Sequence, residues 1–147
     1  MTAVFSRSFM VPRDVIDANG HVSNIAYIQW MQDIAIEHST SAGWPMARYF
    51  EEGFTWVARS HFVEYLRPAF EGEPISVHTW IAGMSARNCP RRYLFARDKD
   101  RKLLARAETQ WVCVDVTRGR PMAVPDAMQA AFTIQEDETA VMQELGL

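Results

Sequence analysis

Cysteine is scarce in this sequence, which has only Cys89 and Cys113 among its 147 residues. The two are far apart, and neither belongs to a Cys-x-x-Cys pair. A disulfide framework or a cysteine-rich zinc site would need more cysteines at closer spacing. We therefore expect two reduced thiols, with Cys113 buried inside the apolar run 111–114.

Long hydrophobic runs are also missing. No segment approaches the ~20 apolar residues of a membrane span, and residues 1–7 lack the apolar core of a secretory signal. Positive charge is not in excess, because the net charge is −3, which argues against nucleic-acid binding by the surface as a whole. We expect a soluble, cytoplasmic protein that inserts into no membrane and binds no nucleic acid.

The hydrophobic content, 48% of the residues, is sufficient for one core in a chain of this length. Repeats and low-complexity tracts are absent from the sequence. We therefore expect a single domain over residues 1–147. Its core should lie at about 4–125, and the acidic tail 126–147 has room for a helix.

Local patterns predict one strand, one long helix and four further strands. Residues 3–11 alternate as a strand does, and Pro12 ends them. Apolar residues recur three and four positions apart through 24–42, which predicts a buried helix that ends at Gly43. Residues 44–53 suggest a shorter helical or irregular piece. The remaining strands are predicted as antiparallel neighbours joined by short turns, at 54–66, 75–81, 93–97 and 103–116.

These elements predict an α+β domain in which the long helix packs on a five-stranded antiparallel sheet. One helix covers only one face of a sheet. Trp56, Trp80 and Trp111 lie on the predicted strands, so apolar surface should remain on the other face. We expect homodimerisation to cover it.

The residues with chemical potential are concentrated in segment 14–24, directly before the long helix. This segment holds two carboxylates, amide side chains, an imidazole and a glycine. The first N–H groups of a helix have no partner within the helix and, with its dipole, favour negative charge. An oxyanion formed from a thioester carbonyl suits that position, and a carboxylate nearby suits attack on the carbonyl or activation of water.

A structural interpretation of the same segment stays open. Asp, Asn, Gly and Ser are ordinary turn and N-cap residues. Ser23 or Asn24 is placed to cap the helix, and His21 is placed to lie in an exposed loop. Asp14 is expected to hold the loop or to pair with Arg13.

The segment and three later ones resemble the 4-hydroxybenzoyl-CoA thioesterase family of acyl-CoA thioesterases. The family pattern is an aspartate, a glycine, a short step into a helix and a tyrosine within it, matched here by Asp17, Gly20, Asn24 and Tyr27. Segments 63–68, 105–115 and 119–125 follow in the family's order. The resemblance spans about residues 4–125. It implies a hot-dog fold, in which a five-stranded antiparallel sheet wraps one long central helix and the chain assembles as a dimer or a dimer of dimers.

The resemblance also implies roles for the matched residues. Asp17 would be the catalytic carboxylate, acting as nucleophile or as general base. The backbone N–H of Asn24 would hold the thioester oxygen. Gly20 would border the substrate. Tyr27 is expected mainly in the core, and because the helix start borders the acyl pocket in relatives, it is also a candidate to line that pocket.

The same loop resembles the Asp-x-Asn-x-His-Val-x-Asn sequence of plant acyl-carrier-protein thioesterases. It is matched by Asp17, Asn19, His21 and Asn24. In that branch the asparagine and the histidine are implicated in catalysis, which implies Asn19 and His21 as further catalytic residues. Many relatives in the first branch lack this histidine.

A basic segment is the second candidate binding feature. Eight of the fifteen Lys and Arg residues lie between positions 87 and 106. Guanidinium groups match phosphate oxygens, so the segment suggests contact with the phosphates of CoA. The alternative is an ordinary solvated strand face. The candidates for contact are Arg87, Arg91 and Arg92, because residues 85–90 resemble the family's loop near the nucleotide.

Polar residues on the strand 54–66 are further candidates for substrate binding. Strict alternation would place Arg59 and His61 on one face with Val57, and Ser60 on the other. The family has polar residues here that line the site across the dimer. Arg59 and Ser60 are therefore candidate substrate-binding residues, whereas His61 is expected to be structural.

The expected function is hydrolysis of a short, medium or aromatic acyl-CoA, with CoA as part of the substrate and neither metal nor other cofactor. Acyl carrier protein stays open as the alternative carrier. Two other functions stay open as well. A hot-dog enoyl-CoA hydratase or dehydratase pairs a histidine with an acidic residue, and His21 lies near Asp17. A non-catalytic acyl-CoA-binding protein would keep the fold without the reaction.

Overall fold

The computed structural model describes residues 3–86 and 88–147. Its strands are β1 (Phe5–Met10), β2 (Phe54–Tyr65), β3 (Pro74–Ile81), β4 (Asn88–Arg97), β5 (Leu103–Asp115) and β6 (Arg120–Pro121). Its α-helices are α1 (Asn24–Ser41), α2 (Met46–Glu52), α3 (Asp126–Gln129) and α4 (Glu138–Leu145). The elements predicted before residue 126 are all present, so the α+β fold class is confirmed.

The long helix α1 has nearly the predicted bounds. Its apolar face, which includes Tyr27, Met31 and Ile34, is buried against the sheet. The helix ends before Gly43, whose φ of 92° lies in the left-handed region that glycine adopts without strain. The apolar spacing therefore accounts for the helix, and Gly43 accounts for the change of chain direction after it.

The sheet has the order β1-β3-β4-β5-β2, with the two-residue β6 paired to β5, and every pairing is antiparallel. The expected pairing of sequential strands is confirmed for β3, β4 and β5. It is wrong for β2, which pairs with β5 and forms one edge of the sheet. The short β6 brings the number of strands to six where the sequence predicted five.

β4 is longer than predicted because it starts at Asn88, upstream of Pro90. Proline usually disfavours an inner strand, since it has no N–H to donate. The Pro90 carbonyl still accepts a hydrogen bond from the Ala82 N–H at 2.8 Å. This contact keeps the end of β3 attached to β4 across the proline.

The main core lies between α1 and the inner face of the sheet. It includes Met31, Ile75, Tyr93 and Phe95, all with essentially no exposure. Both cysteines are free, as the sequence predicted, and Cys89 is buried as well as Cys113. The core therefore fixes α1 across the sheet and determines where its two ends lie.

The outer face of the sheet is not left bare. The C-terminal helix α4 packs on it, so Trp80, Leu94 and Val141 are fully buried together. The expectation that a partner chain must cover Trp80 is therefore wrong. The acidic tail carries apolar residues at helical spacing, and its Val141, Met142 and Leu145 pack on Trp80 and Leu94.

Candidate active site at the start of the long helix

The loop between β1 and α1 is a compact hairpin-like turn. A bridge between Ile16 and Val22 closes it, and the Asp17 N–H donates to the His21 carbonyl at 3.0 Å. The Val22 N–H donates to the Ala69 carbonyl at 2.9 Å, which ties the loop to the chain beyond β2. The loop thus holds Asp17 and His21 in fixed positions beside the helix start.

Asp17 is the first residue of a tight turn within this loop. Its carbonyl accepts from the Gly20 N–H at 3.0 Å, and its Oδ1 accepts from the Asn19 N–H at 2.9 Å. Gly20 has a φ of 83°, which a side chain would strain. Among the described residues, nothing donates a hydrogen bond to Asp17 Oδ2. One carboxylate oxygen therefore orders the turn and the other stays available.

The start of α1 presents an unpaired backbone donor. Ser23 is the N-cap, since its hydroxyl accepts from the Ile25 N–H at 3.2 Å and its carbonyl accepts from the Ala26 N–H at 3.0 Å. No acceptor for the Asn24 N–H occurs within residues 3–86 and 88–147. That donor lies at the positive end of the helix dipole, where an oxyanion would be stabilised. Of the two capping candidates, the structure selects Ser23.

Tyr65 anchors the helix start from the end of β2. Its hydroxyl donates to the Asn24 carbonyl at 2.8 Å, and its ring contacts Tyr27 edge-on, 5.3 Å between centroids. Tyr65 was not among the predicted site residues. Its position in the segment 63–68, which resembles the family's strand end, was the available signal.

His21 is half-buried in the same loop. Its Nδ1 lies 3.2 Å from the Val22 carbonyl oxygen. With the proton on Nδ1, the ring donates to that carbonyl and Nε2 becomes a free acceptor. Asn19 is exposed next to it. The loop therefore brings Asp17, Asn19, Gly20 and His21 together before Asn24.

Tyr27 lies in the core, as expected from its position on the apolar face of α1, and its role beside the substrate stays a prediction. It is only 2% exposed and lies in the core, against Trp30 and Phe95. Burial, with the nearby Tyr65 second, raises the pKa of its hydroxyl to about 12. The Tyr27 side chain therefore stabilises α1 by packing between the helix and the sheet.

A β-bulge changes the predicted faces of β2. Ala58 pairs with Trp111 and Ser60 with Gln110, so Arg59 is the extra residue. Beyond the bulge, His61 faces Thr109, and its Nδ1 lies 2.8 Å from the threonine hydroxyl. The expectation that His61 shares a face with Val57 is therefore wrong, because one inserted residue shifts the alternation. Arg59 and Ser60 are both exposed on this edge strand.

The arginines of β4 do not form one exposed patch. Arg91 is 4% exposed and points to the inner face, so its expected contact with CoA phosphates from an exposed surface is wrong. Arg92 lies on the outer face, where its Nε is 3.0 Å from Glu108 and its Nη1 donates to the Glu136 carbonyl. The alternation of a strand separates these neighbours. Arg87 lies outside the described residues.

A cavity of about 290 Å³ lies under the C-terminal half of α1 and is open to solvent on one side. α1 contributes Gln32, Ala35, Ile36 and Ser39 to its lining, which also includes Trp56 and Ala58 of β2, Cys89 and Arg91 of β4, and Trp111 of β5. At about 1.5 Å per helical residue, Gln32 and Ser39 are roughly 12 and 22 Å along the axis from Asn24. The cavity and the Asp17 loop therefore lie near opposite ends of α1.

The described residues contain no helix that is long and apolar enough to cross a membrane. No group of three or more His, Cys, Asp or Glu side chains is arranged there to hold a metal ion. The expectation of a metal-free site stays a prediction.

A family model described as the Thioesterase-like superfamily matches residues 10–132. Among curated proteins, the chain is 26% identical over 157 aligned positions to a chloroplastic dodecanoyl-[acyl-carrier-protein] hydrolase of Umbellularia californica. That alignment covers 97% of this chain and 41% of the relative. The chain thus spans less than half the length of this relative.

Solved structures show the same fold. A 1,4-dihydroxy-2-naphthoyl-CoA thioesterase from Synechocystis superposes with a TM-score of 0.80 at 22% identity, covering 87% of this chain and 94% of that one. A Staphylococcus aureus protein determined in complex with CoA superposes with a TM-score of 0.82 at 17% identity, covering 93% and 91%. These similarities confirm the hot-dog fold that the resemblance implied.

Proposed function

The chain belongs to the Thioesterase-like superfamily, and on that basis we propose that it hydrolyses an acyl-CoA thioester to a free acid and CoA. The observation that carries the proposal is the pairing of two groups in one loop. Asp17 has a free carboxylate oxygen, and the Asn24 N–H has no acceptor within the described residues. A carboxylate and an unpaired helix donor are the minimum that thioester hydrolysis needs.

The proposed reaction places the thioester oxygen at the Asn24 N–H. As the carbonyl carbon becomes tetrahedral, the helix dipole and this N–H stabilise the negative charge. Asp17 either attacks the carbon itself, forming an anhydride that water then opens, or takes a proton from the attacking water. In both routes the C–S bond breaks, the thiolate of CoA leaves, and water supplies the new oxygen of the acid.

Asn19 and His21 are proposed as assisting residues. Their spacing from Asp17 matches the plant-type sequence, and the similar Umbellularia protein is a hydrolase of an acyl-carrier-protein thioester. The His21 tautomer with Nδ1 on the Val22 carbonyl leaves Nε2 to exchange a proton with water or with the leaving group. Acyl carrier protein is accordingly the alternative carrier.

We also propose that substrate binding involves two chains. β2 is a twelve-residue edge strand whose pairing partner among the described strands is β5, and its Val57 and Phe62 are 48% and 63% exposed. Pairing with a second copy would cover this edge and bring Arg59 and Ser60 to an interface. A homodimer or a dimer of dimers is therefore the proposed assembly, with Gly20, Arg87 and Arg92 as further candidates for contact with the substrate.

We further propose that the chain belongs to the 4-hydroxybenzoyl-CoA thioesterase branch and that it acts in the cytoplasm. The match of Asp17, Gly20 and Asn24 to the 4-hydroxybenzoyl-CoA thioesterase pattern supports that branch. Two free buried thiols fit a reducing, cytoplasmic setting. The acyl group, whether aromatic or a short or medium aliphatic chain, is to be identified by assay.

A panel of acyl-CoA esters tests the activity, with release of free thiol as the signal. We expect cleavage of at least one ester well above background, and none by Asp17→Ala. Loss of the enoyl absorbance of crotonyl-CoA without thiol release would instead indicate a hydratase. Binding of the esters with no turnover would indicate a non-catalytic protein.

A further inference from the structure

Arg91 is a cation inside the protein. Its side chain extends from the inner face of β4 toward α1 and is 4% exposed. Through Nη1 it donates to His38 Nδ1 at 2.9 Å and to Thr79 Oγ1 at 3.1 Å. His38 accepts as a neutral ring, because burial, with the charge of Arg91 second, lowers its pKa to about 3.

Neither partner of Arg91 compensates its charge. Among the described residues, no Asp or Glu forms an ion pair with it, whereas its neighbour Arg92 is paired with Glu108. Both hydrogen bonds use Nη1, so Nε and Nη2 have no acceptor within residues 3–86 and 88–147. A buried charge without a counter-ion is unfavourable. This arrangement is therefore incomplete without an anion.

Arg91 lines the cavity of about 290 Å³ under α1. The other described lining residues include no acidic side chain and are mainly apolar, with Trp44, Trp56, Ile81, Met84 and Trp111 among them. The hydroxyl of Ser39, which also lines the cavity, is already bonded to the Trp44 carbonyl and to Tyr49. Exposed Gln32, Ile36 and Met46 mark the side on which the cavity opens to solvent.

We propose that this cavity binds an acyl group whose far end carries a carboxylate, with that carboxylate on the free Nε and Nη2 of Arg91. The planar guanidinium offers two parallel donors that match a carboxylate. The apolar walls suit the carbon chain or ring between the two ends. Because the Asp17 loop of the same chain lies at the other end of α1, the thioester of this short ligand would face the Asp17 loop of a second copy in the proposed dimer. The ligand's identity as an acyl thioester therefore rests on the proposed function and assembly, whereas its amphipathic, anionic character rests on the cavity.

The size of the cavity narrows the ligand class. Its volume of about 290 Å³ lies just below the ~300–1,000 Å³ that ligand sites usually have. It therefore takes a short or single-ring acyl body and excludes a nucleotide. The preferred substrates are thioesters of short dicarboxylic acids or carboxylated aromatic acids, over unsubstituted acyl chains of equal length.

Two thioethers of CoA test this preference without requiring hydrolysis. One carries a hexyl chain and the other the same chain ending in a carboxylate. We expect the wild-type protein to bind the carboxylated thioether at least about tenfold more tightly in calorimetry, as charge-assisted bonds to a buried arginine allow. Equal affinity, or tighter binding of the hexyl thioether, would overturn the proposal whether or not the protein cleaves thioesters.

An arginine on the outer face of the sheet provides the matched control. Arg91→Met should abolish the preference, whereas Arg106→Met, on the outer face of β5 where Arg106 pairs with Glu64 and Glu138, should keep it. Retention of the preference by Arg91→Met would also overturn the proposal. If Arg91→Met does not fold, Arg91→Lys keeps the charge and loses the paired donors, so its preference should be smaller than that of the wild type. An undiminished preference in Arg91→Lys would count against the proposal.

Discussion

The guanidinium of Arg91 donates a hydrogen bond to Nδ1 of His38, 2.9 Å away, and thereby joins β4 to α1 inside the core. A protonated imidazole has no lone pair on Nδ1 to accept this bond. The contact thus requires His38 to stay neutral. The ring also stacks on Phe5 with 5.2 Å between centroids, so His38 connects α1 to β1 as well.

Acid should therefore destabilise the protein partly through His38. The folded-state pKa of about 3 lies below the unfolded value of about 6.5, so the unfolded chain binds the extra proton between them. The contribution of neutral His38 is present in full above pH ~6.5 and is lost as the pH falls toward 3. His38→Gln, which keeps an acceptor and cannot titrate, should show a smaller loss.

Urea unfolding at pH ~7.5 and ~5, on either side of the ordinary histidine pKa, measures this difference. The drop in free energy of unfolding should be larger for wild type than for His38→Gln. His78, whose pKa burial also lowers, is present in both proteins and affects them alike. Equal drops would show that His38 does not titrate in the way the structure requires.

Tyr65 should support activity through the start of α1. Tyr65→Phe removes the bond to the Asn24 carbonyl, which is worth about 0.5–1.5 kcal/mol. If that energy holds the Asn24 N–H in position, kcat/KM should fall by roughly two- to tenfold. Ser41→Ala, which removes a hydroxyl-to-carbonyl bond at the other end of α1, is the control and should leave kcat/KM unchanged. Similar losses in both variants would point to a general effect on the helix.

The C-terminal helix should contribute substantially to stability. Leu94 is fully buried beneath α4, on the outer face of the sheet. Leu94→Ala should lower the free energy of unfolding by about 2–5 kcal/mol. Leu66→Ala, at a position that is 43% exposed, should lower it far less. Comparable values from denaturant unfolding would show that α4 does not cover this face in solution.

The sequence was sufficient for the elements that depend on local patterns. The three- and four-residue spacing predicted α1, and Gly43 marked its end, because helix burial and a left-handed turn act over neighbouring residues. The Asp17 loop was identified for the same reason, since turn chemistry and the helix start are encoded in one short segment. Its match to known thioesterases supplied the proposed reaction.

The misplaced features depend on contacts between distant parts of the chain. The inserted Arg59 reverses the alternation of β2, and only pairing with β5 reveals it. Arg91 was grouped with Arg92 by composition, although the strand sends them to opposite faces. The docking of α4 over Trp80 was likewise invisible to a pattern read along the chain. Each of these errors concerns which face a side chain occupies or what covers that face.

The proposed role of Asp17 as the catalytic carboxylate is tested most directly by comparing two carboxylates of the same loop. Asp17→Asn removes the charge and keeps an oxygen for the Asn19 N–H, whereas Asp14→Asn makes the same change at an exposed position outside the turn. The measurement is kcat/KM for the best ester of the acyl-CoA panel, followed by thiol release. We expect a loss of about 10²-fold or more in Asp17→Asn and a value close to wild type in Asp14→Asn. Wild-type activity in a folded Asp17→Asn protein would contradict the proposed mechanism.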